Sequence, residues 1–124
     1  MNLLVDTHAL LWWLGGEVLS SDATAALADP RNEAYVSAAS IWEASIKVAA
    51  GKLEVKGSLL DSAERSHLVA LPITLAHAQR AGELPRHHRD PFDRMLVAQA
   101  ELEGLTIVTR DPIFAAYGVP VLPC

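Results

Sequence analysis

DPFDRMLVAQAELEGLTIVTRD, residues 90–111, holds a helix, a glycine stop and a strand in immediate succession. Asp90 followed by Pro91 has the chemistry of a helix N-cap with proline in the first turn. Asp93 lies where its charge favours the helix dipole. The helix is expected from Asp90 to Gly104, because glycine commonly closes a helix. LTIVT at 105–109 is short, apolar and β-branched, the pattern of a buried strand. A helix feeding a buried strand is half of a parallel α/β unit.

The same alternation extends outward. NLLV at 2–5 reads as a strand, ended by Asp6, and THALLWWL at 7–14 as a helix. SSDATAALADP at 20–30 is expected to be helical, EAYVS at 33–37 a strand, and AASIWEASIKVAAGK at 38–52 a helix stopped near Gly51. Gly57 to His67 reads as helix, LVALPI at 68–73 as a short strand, and LAHAQRAGEL at 75–84 as helix. DPIFAAYG forms a helical turn, and VPVLP suits an edge strand because of its prolines. The expected architecture is a three-layer α/β/α domain spanning residues 1–124, with a mostly parallel central sheet of four or five strands.

Composition narrows the function. The net charge of −5 argues against a protein that grips nucleic acid by bulk positive charge. It does not exclude an enzyme that reaches phosphates through metal ions. The single cysteine, Cys124, precludes an internal disulfide, and a reducing cytoplasm is the expected location. No apolar run approaches the roughly 20 residues of a membrane span, and MNLLVD lacks the basic start of a signal peptide.

Ligands of parallel sheets sit at the carboxyl ends of the strands. Asp6 and Asp111 each follow a strand, Glu43 lies in the helix after EAYVS, and Asp93 opens the helix before LTIVT. Each acid has a bland explanation. Asp6, Asp90 and Asp111 could be caps, and Ser40 with Glu43 could form a capping box. Gathered at one edge, however, carboxylates about 5 Å apart repel by roughly 3 kcal/mol per pair at an effective dielectric of 20. A divalent cation or retained protons must offset this, and all-oxygen ligands select Mg2+ or Mn2+. Asp22, Asp29, Glu54, Asp61, Glu64, Glu101 and Glu103 have no such placement and are expected on the surface.

LLVDTHALLWWL, SAASIWEASIKVAAGKL and HHRDPFDRMLVAQAELEGLTIVTRD, with the short tail, make the chain resemble the PIN-domain ribonucleases along its whole length. The resemblance is to the VapC-type toxins of bacterial toxin–antitoxin modules. It implies a metal-dependent endoribonuclease in which Asp6, Glu43, Asp93 and Asp111 are catalytic and bind Mg2+ or Mn2+. Asp90 remains an alternative ligand, acting through water. Thr7 and Thr109 are candidates for hydrogen bonds behind the acids, and Arg110 and Arg94 for RNA contacts or plain surface charges. Lys47 is a helix-pair partner of Glu43.

The resemblance also implies an RNA substrate, a homodimer and a complex with a VapB-type antitoxin. Trp12 and Trp13 cannot share a helix face, so one of them is expected in an interface or groove. His87 and His88, being adjacent, should point apart and are poor candidates as a metal pair. Two alternatives carry different sequence requirements. A receiver-like signalling domain needs paired acids after its first strand, where this chain has Asp6-Thr7. A non-catalytic PIN scaffold, binding only RNA or protein, predicts a broken quartet.

Overall fold

The computed structural model describes residues 1–124. Five parallel strands, β1 (Asn2–Val5), β2 (Glu33–Ser37), β3 (Val69–Leu71), β4 (Thr106–Thr109) and β5 (Val121–Pro123), form one sheet in the order 3-2-1-4-5. Helices α1 (Thr7–Leu14), α2 (Ser21–Ala28), α3 (Ala38–Ala49), α4 (Leu59–Arg65), α5 (Leu75–Glu83) and α6 (Pro91–Glu103) connect them, and a 3-10 turn spans Pro112–Tyr117. This order differs from the 2-1-3-4-5 sheet of flavodoxin-like receiver domains, which removes that alternative. No helix is long and apolar enough to cross a membrane.

Both faces of the sheet are covered because alternate residues of its strands point oppositely. Leu4 and Ile107 join Leu96, Val97, Ala100 and Phe114 in the larger core cluster, under α5 and α6. Leu3 and Val5 face the other way, toward Leu10 of α1, Ala23 of α2 and Ala63 of α4. Central strands buried on both sides read as continuous apolar runs, which is what NLLV and LTIVT are. Val121–Pro123 is an edge strand, as its prolines require.

Helix ends differ from the sequence expectations by one to three residues. The fourth helix starts at Leu59, not Gly57, because the Ser58 hydroxyl caps it by accepting from Asp61 N at 3.3 Å. The Ser40–Glu43 capping box, the bland alternative for Glu43, does not form. Ser37 caps α3 instead, accepting from Ala39 N at 3.0 Å, and Ser40 lies inside the helix. The last expected features hold: Asp90 caps α6, and Gly104 closes it at φ 68°, a left-handed conformation that strains other residues.

Candidate metal centre

The chain runs outward from the central strand β1 in both directions, so strand order switches between β1 and β4. Asp6 leaves β1 at that crevice, held by its amide donating to Val108 O at 3.1 Å. One carboxylate oxygen caps α1, accepting from Ala9 N at 2.7 Å, and the other accepts from the Thr109 hydroxyl. Asp6 is buried, so capping and a role at the site are not exclusive. Burial raises its proton affinity above the ordinary carboxylate range, against the hydrogen bonds from Thr109 and Ala9, and nearby Asp111 adds to the rise. Asp111 is exposed and caps the 3-10 turn through Ile113 N at 2.9 Å. Thr109 thus sits between the two acids, donating to Asp6 and accepting from Asp111 N at 3.0 Å.

A second group forms where α3 meets α6. Glu43 is buried, with Oε2 bonded to Lys47 Nζ at 3.0 Å across one helical turn, and Oε1 has no partner. Asp93 in the first turn of α6 has its carboxyl pushed up to about 6, first by burial and further by the charges of Asp90 and Glu43, against the hydrogen bond from His88. His88 Nε2 lies 2.8 Å from Asp93 Oδ2. Ligand atoms of His88, Asp90 and Asp93 lie within 4.8 Å of one another. Electrostatic coupling therefore joins Asp6 to Asp111 and Asp93 to Glu43 and Asp90.

The donor set suits a divalent cation. A buried carboxylate oxygen without a partner is costly, and Glu43 Oε1 is one, close enough to raise the proton affinity of Asp93. Hard carboxylate oxygens favour Mg2+ or Mn2+, and His88 is the one nitrogen within reach. The raised Asp93 carboxyl has a consequence for stability. Between its ordinary value of 3.8 and about 6, the folded chain keeps a proton that the unfolded chain has released. Ionising Asp93 therefore weakens the fold as pH rises through that window, fully so above 6. In chelator, Asp93→Asn should stabilise the protein at pH 7.5 by up to about 3 kcal/mol, falling to roughly a third of that at pH 4.5. Thermal melts at both pH values decide it, and destabilisation at pH 7.5 would contradict a crowded site.

The remaining site candidates fall differently from the sequence expectations. Thr7 does not touch an acid; its buried hydroxyl donates to Ser40 Oγ at 3.0 Å and ties α1 to α3. Arg110 is exposed, stacks 4.1 Å over the Trp12 ring and donates to Val18 O at 3.2 Å. Arg94 is neither solvated nor free. It donates to the carbonyls of Ala81 at 2.9 Å, Leu84 at 3.0 Å and Pro85 at 3.0 Å, clamping the end of α5. Trp12 and Trp13 are both partly buried against the core, and the outward-facing tryptophan is Trp42, at 61 % exposure. Two faces of a short helix can both be covered when one packs on the sheet and the other on α2 and the chain end.

His88 is the residue that sequence reasoning undervalues. The two histidines do point apart, His87 against Tyr117 and His88 toward Asp93. The available signal is the spacing His88-x-Asp90-x-x-Asp93, which places an imidazole next to an acid across a helix N-terminus. Glu103 is on the surface as expected, and there it pairs with buried His77 at 2.8 Å.

The family model described as the PIN domain matches residues 3–120. Among solved structures, the fold is similar to that of VapBC2 from Rickettsia felis bound to a promoter DNA fragment, at 16 % identity and TM-score 0.76, covering 100 % of this chain and 99 % of the other. DNA-bound VapBC from Salmonella typhimurium is similar at 18 % identity and TM-score 0.74, covering 99 % and 98 %. A toxin–antitoxin complex from Klebsiella pneumoniae is similar at 25 % identity and TM-score 0.61, covering 97 % and 95 %. No curated protein matches the chain significantly.

Proposed function

The chain belongs to the PIN-domain family, and from that premise we propose that it is a metal-dependent endoribonuclease, the toxin of a toxin–antitoxin pair. The observation that carries this reading is the unpartnered, buried Glu43 Oε1 beside an Asp93 carboxyl raised to about 6. Asp6, Glu43 and Asp93 would hold Mg2+ or Mn2+, and exposed Asp111 would orient a water or help hold a second ion. When bound, the cation lowers the pKa of water and offsets charge on the phosphate. Thr109 fixes the Asp6 carboxylate in place, and Lys47 holds Glu43 Oε2 while leaving Oε1 for the ion. Arg110, braced on Trp12, meets phosphates at the crevice mouth.

The VapBC and toxin–antitoxin structures that share this fold favour a VapB-type antitoxin as partner, while the homodimer rests on the family resemblance and the cytoplasmic location on the single cysteine. Trp42 and Ile46 are exposed one turn apart on α3 and give such a partner an apolar surface. Incubation with a mixed RNA pool is the direct test. Cleavage is expected with Mg2+ or Mn2+ and should stop in chelator. Protein freed of any antitoxin that binds RNA and cuts nothing with either metal is a non-catalytic scaffold instead.

A further inference from the structure

We propose that a cavity of about 630 Å3 beside the metal centre, lined by Gly82, Arg86, His88, Arg89 and Arg94, is a subsite for a backbone phosphate of the RNA strand, beyond the bond that is cut. The proposal rests on the ribonuclease reading for the identity of the strand. Its first support is charge. The chain carries ten Lys and Arg residues at a net −5, yet three arginines and a histidine converge on one hollow that no hydrophobic residue lines. A polyanion approaching a cluster of carboxylates on an acidic protein needs such a local cationic hold.

Two of the charges are also uncommitted. Arg86 and Arg89 are exposed and take part in none of the ion pairs, which join Arg31 to Asp29, Lys47 to Glu43, His77 to Glu103, Arg80 to Glu101 and His88 to Asp93. Arg94 bonds neutral carbonyls, so its charge is not cancelled by a carboxylate. Those bonds and the donation from His88 N to the Tyr117 hydroxyl, at 2.9 Å, tie down both ends of the loop carrying Arg86 and Arg89. The loop backbone is thereby held in place, which lowers that part of the ordering cost of binding.

Position supplies the third support. His88 lines the hollow and touches Asp93, so the hollow and the acid share a wall. Gly82 leaves the helical side of the hollow bare; a methyl group there would meet no atom within 4 Å. A peptide partner would find no apolar anchor here, whereas forked guanidinium groups match phosphate oxygens directly.

The test is binding of a fluorescein-labelled single-stranded RNA 12-mer in Mg2+, followed by anisotropy across a salt series, with Asp6→Asn in every protein so that the strand survives. Arg86→Gln/Arg89→Gln should weaken binding by about tenfold and lower the slope of log K against log salt by about 0.7, the value for one lost phosphate contact on a single strand. Arg31→Gln/Arg65→Gln makes the same change in net charge elsewhere and should keep the original slope. Equal slopes for the two double variants overturn the subsite. So does failure to bind RNA when an oligoglutamate peptide binds with the same arginine dependence. RNA that is held through these arginines but never cut by the unmutated chain leaves the subsite standing and removes the ribonuclease reading.

Discussion

On the ribonuclease reading, Asp93→Asn is expected to lower RNA cleavage by about a hundredfold or more and Asp90→Asn to keep most of it. The two acids are three residues apart, and their surroundings separate them. Asp90 Oδ1 accepts from Phe92 N at 2.8 Å and Asp93 N at 3.4 Å, so it is engaged in starting α6. Asparagine caps a helix as well as aspartate does, so Asp90→Asn removes a charge while preserving the cap. Asp93 is half-buried, needs no amide partner, and has its carboxyl raised to about 6 partly by Glu43 and Asp90. Neutralising it would remove the proposed cation ligand in this turn of the helix that is not already occupied in capping. Initial rates for both variants beside Asp6→Asn, with melting curves to show that each is folded, check the assignment. Equal losses for Asp90→Asn and Asp93→Asn would move the ion toward the His88, Asp90 and Asp93 cluster.

Arg94→Ala is expected to cost about 3 kcal/mol of stability and lower Tm by roughly 10 °C, the largest structural effect of any polar substitution near the site. Three carbonyls at the end of α5 and the start of the following loop lose charge-assisted donors at 2.9 to 3.0 Å. Leu84 is buried, so its carbonyl cannot simply turn to water. Arg94→Lys restores charge without the fork and should recover less than half of the loss. A scanning calorimetry series reads this, and a Tm within about 2 °C of the parent for Arg94→Ala would show that the clamp carries no stability. The same residue walls the proposed phosphate hollow, so the binding test leaves it intact.

The positions of several acids follow from local rules and are legible in the sequence. An aspartate directly after an apolar strand lies at the carboxyl edge of a parallel sheet, and this alone locates Asp6 and Asp111. Asp90 before Pro91 reads as a cap, and it is one. Glu43 lies on the helix where its sequence places it, and the alternative bond to Ser40 is not formed. The helix starts at Ala38 as expected, capped by Ser37, and the Glu43 side chain bonds Lys47.

By itself, then, the sequence determined the alternation of strands and helices, the helix caps, the glycine stop at residue 104 and which edge of the sheet carries the acids. These depend on neighbours within a few residues, where spacing and side-chain chemistry suffice. Only the tertiary structure decided that Thr109 would reach Asp6 across 103 residues, that Arg94 would turn inward onto α5, that His88 would meet Asp93, and that Trp42 rather than Trp12 or Trp13 would face outward. Each of these depends on which surface of a distant element packs alongside. That is set by the strand order 3-2-1-4-5 and the docking of α3 and α5 on α6, which no periodicity along a single chain encodes.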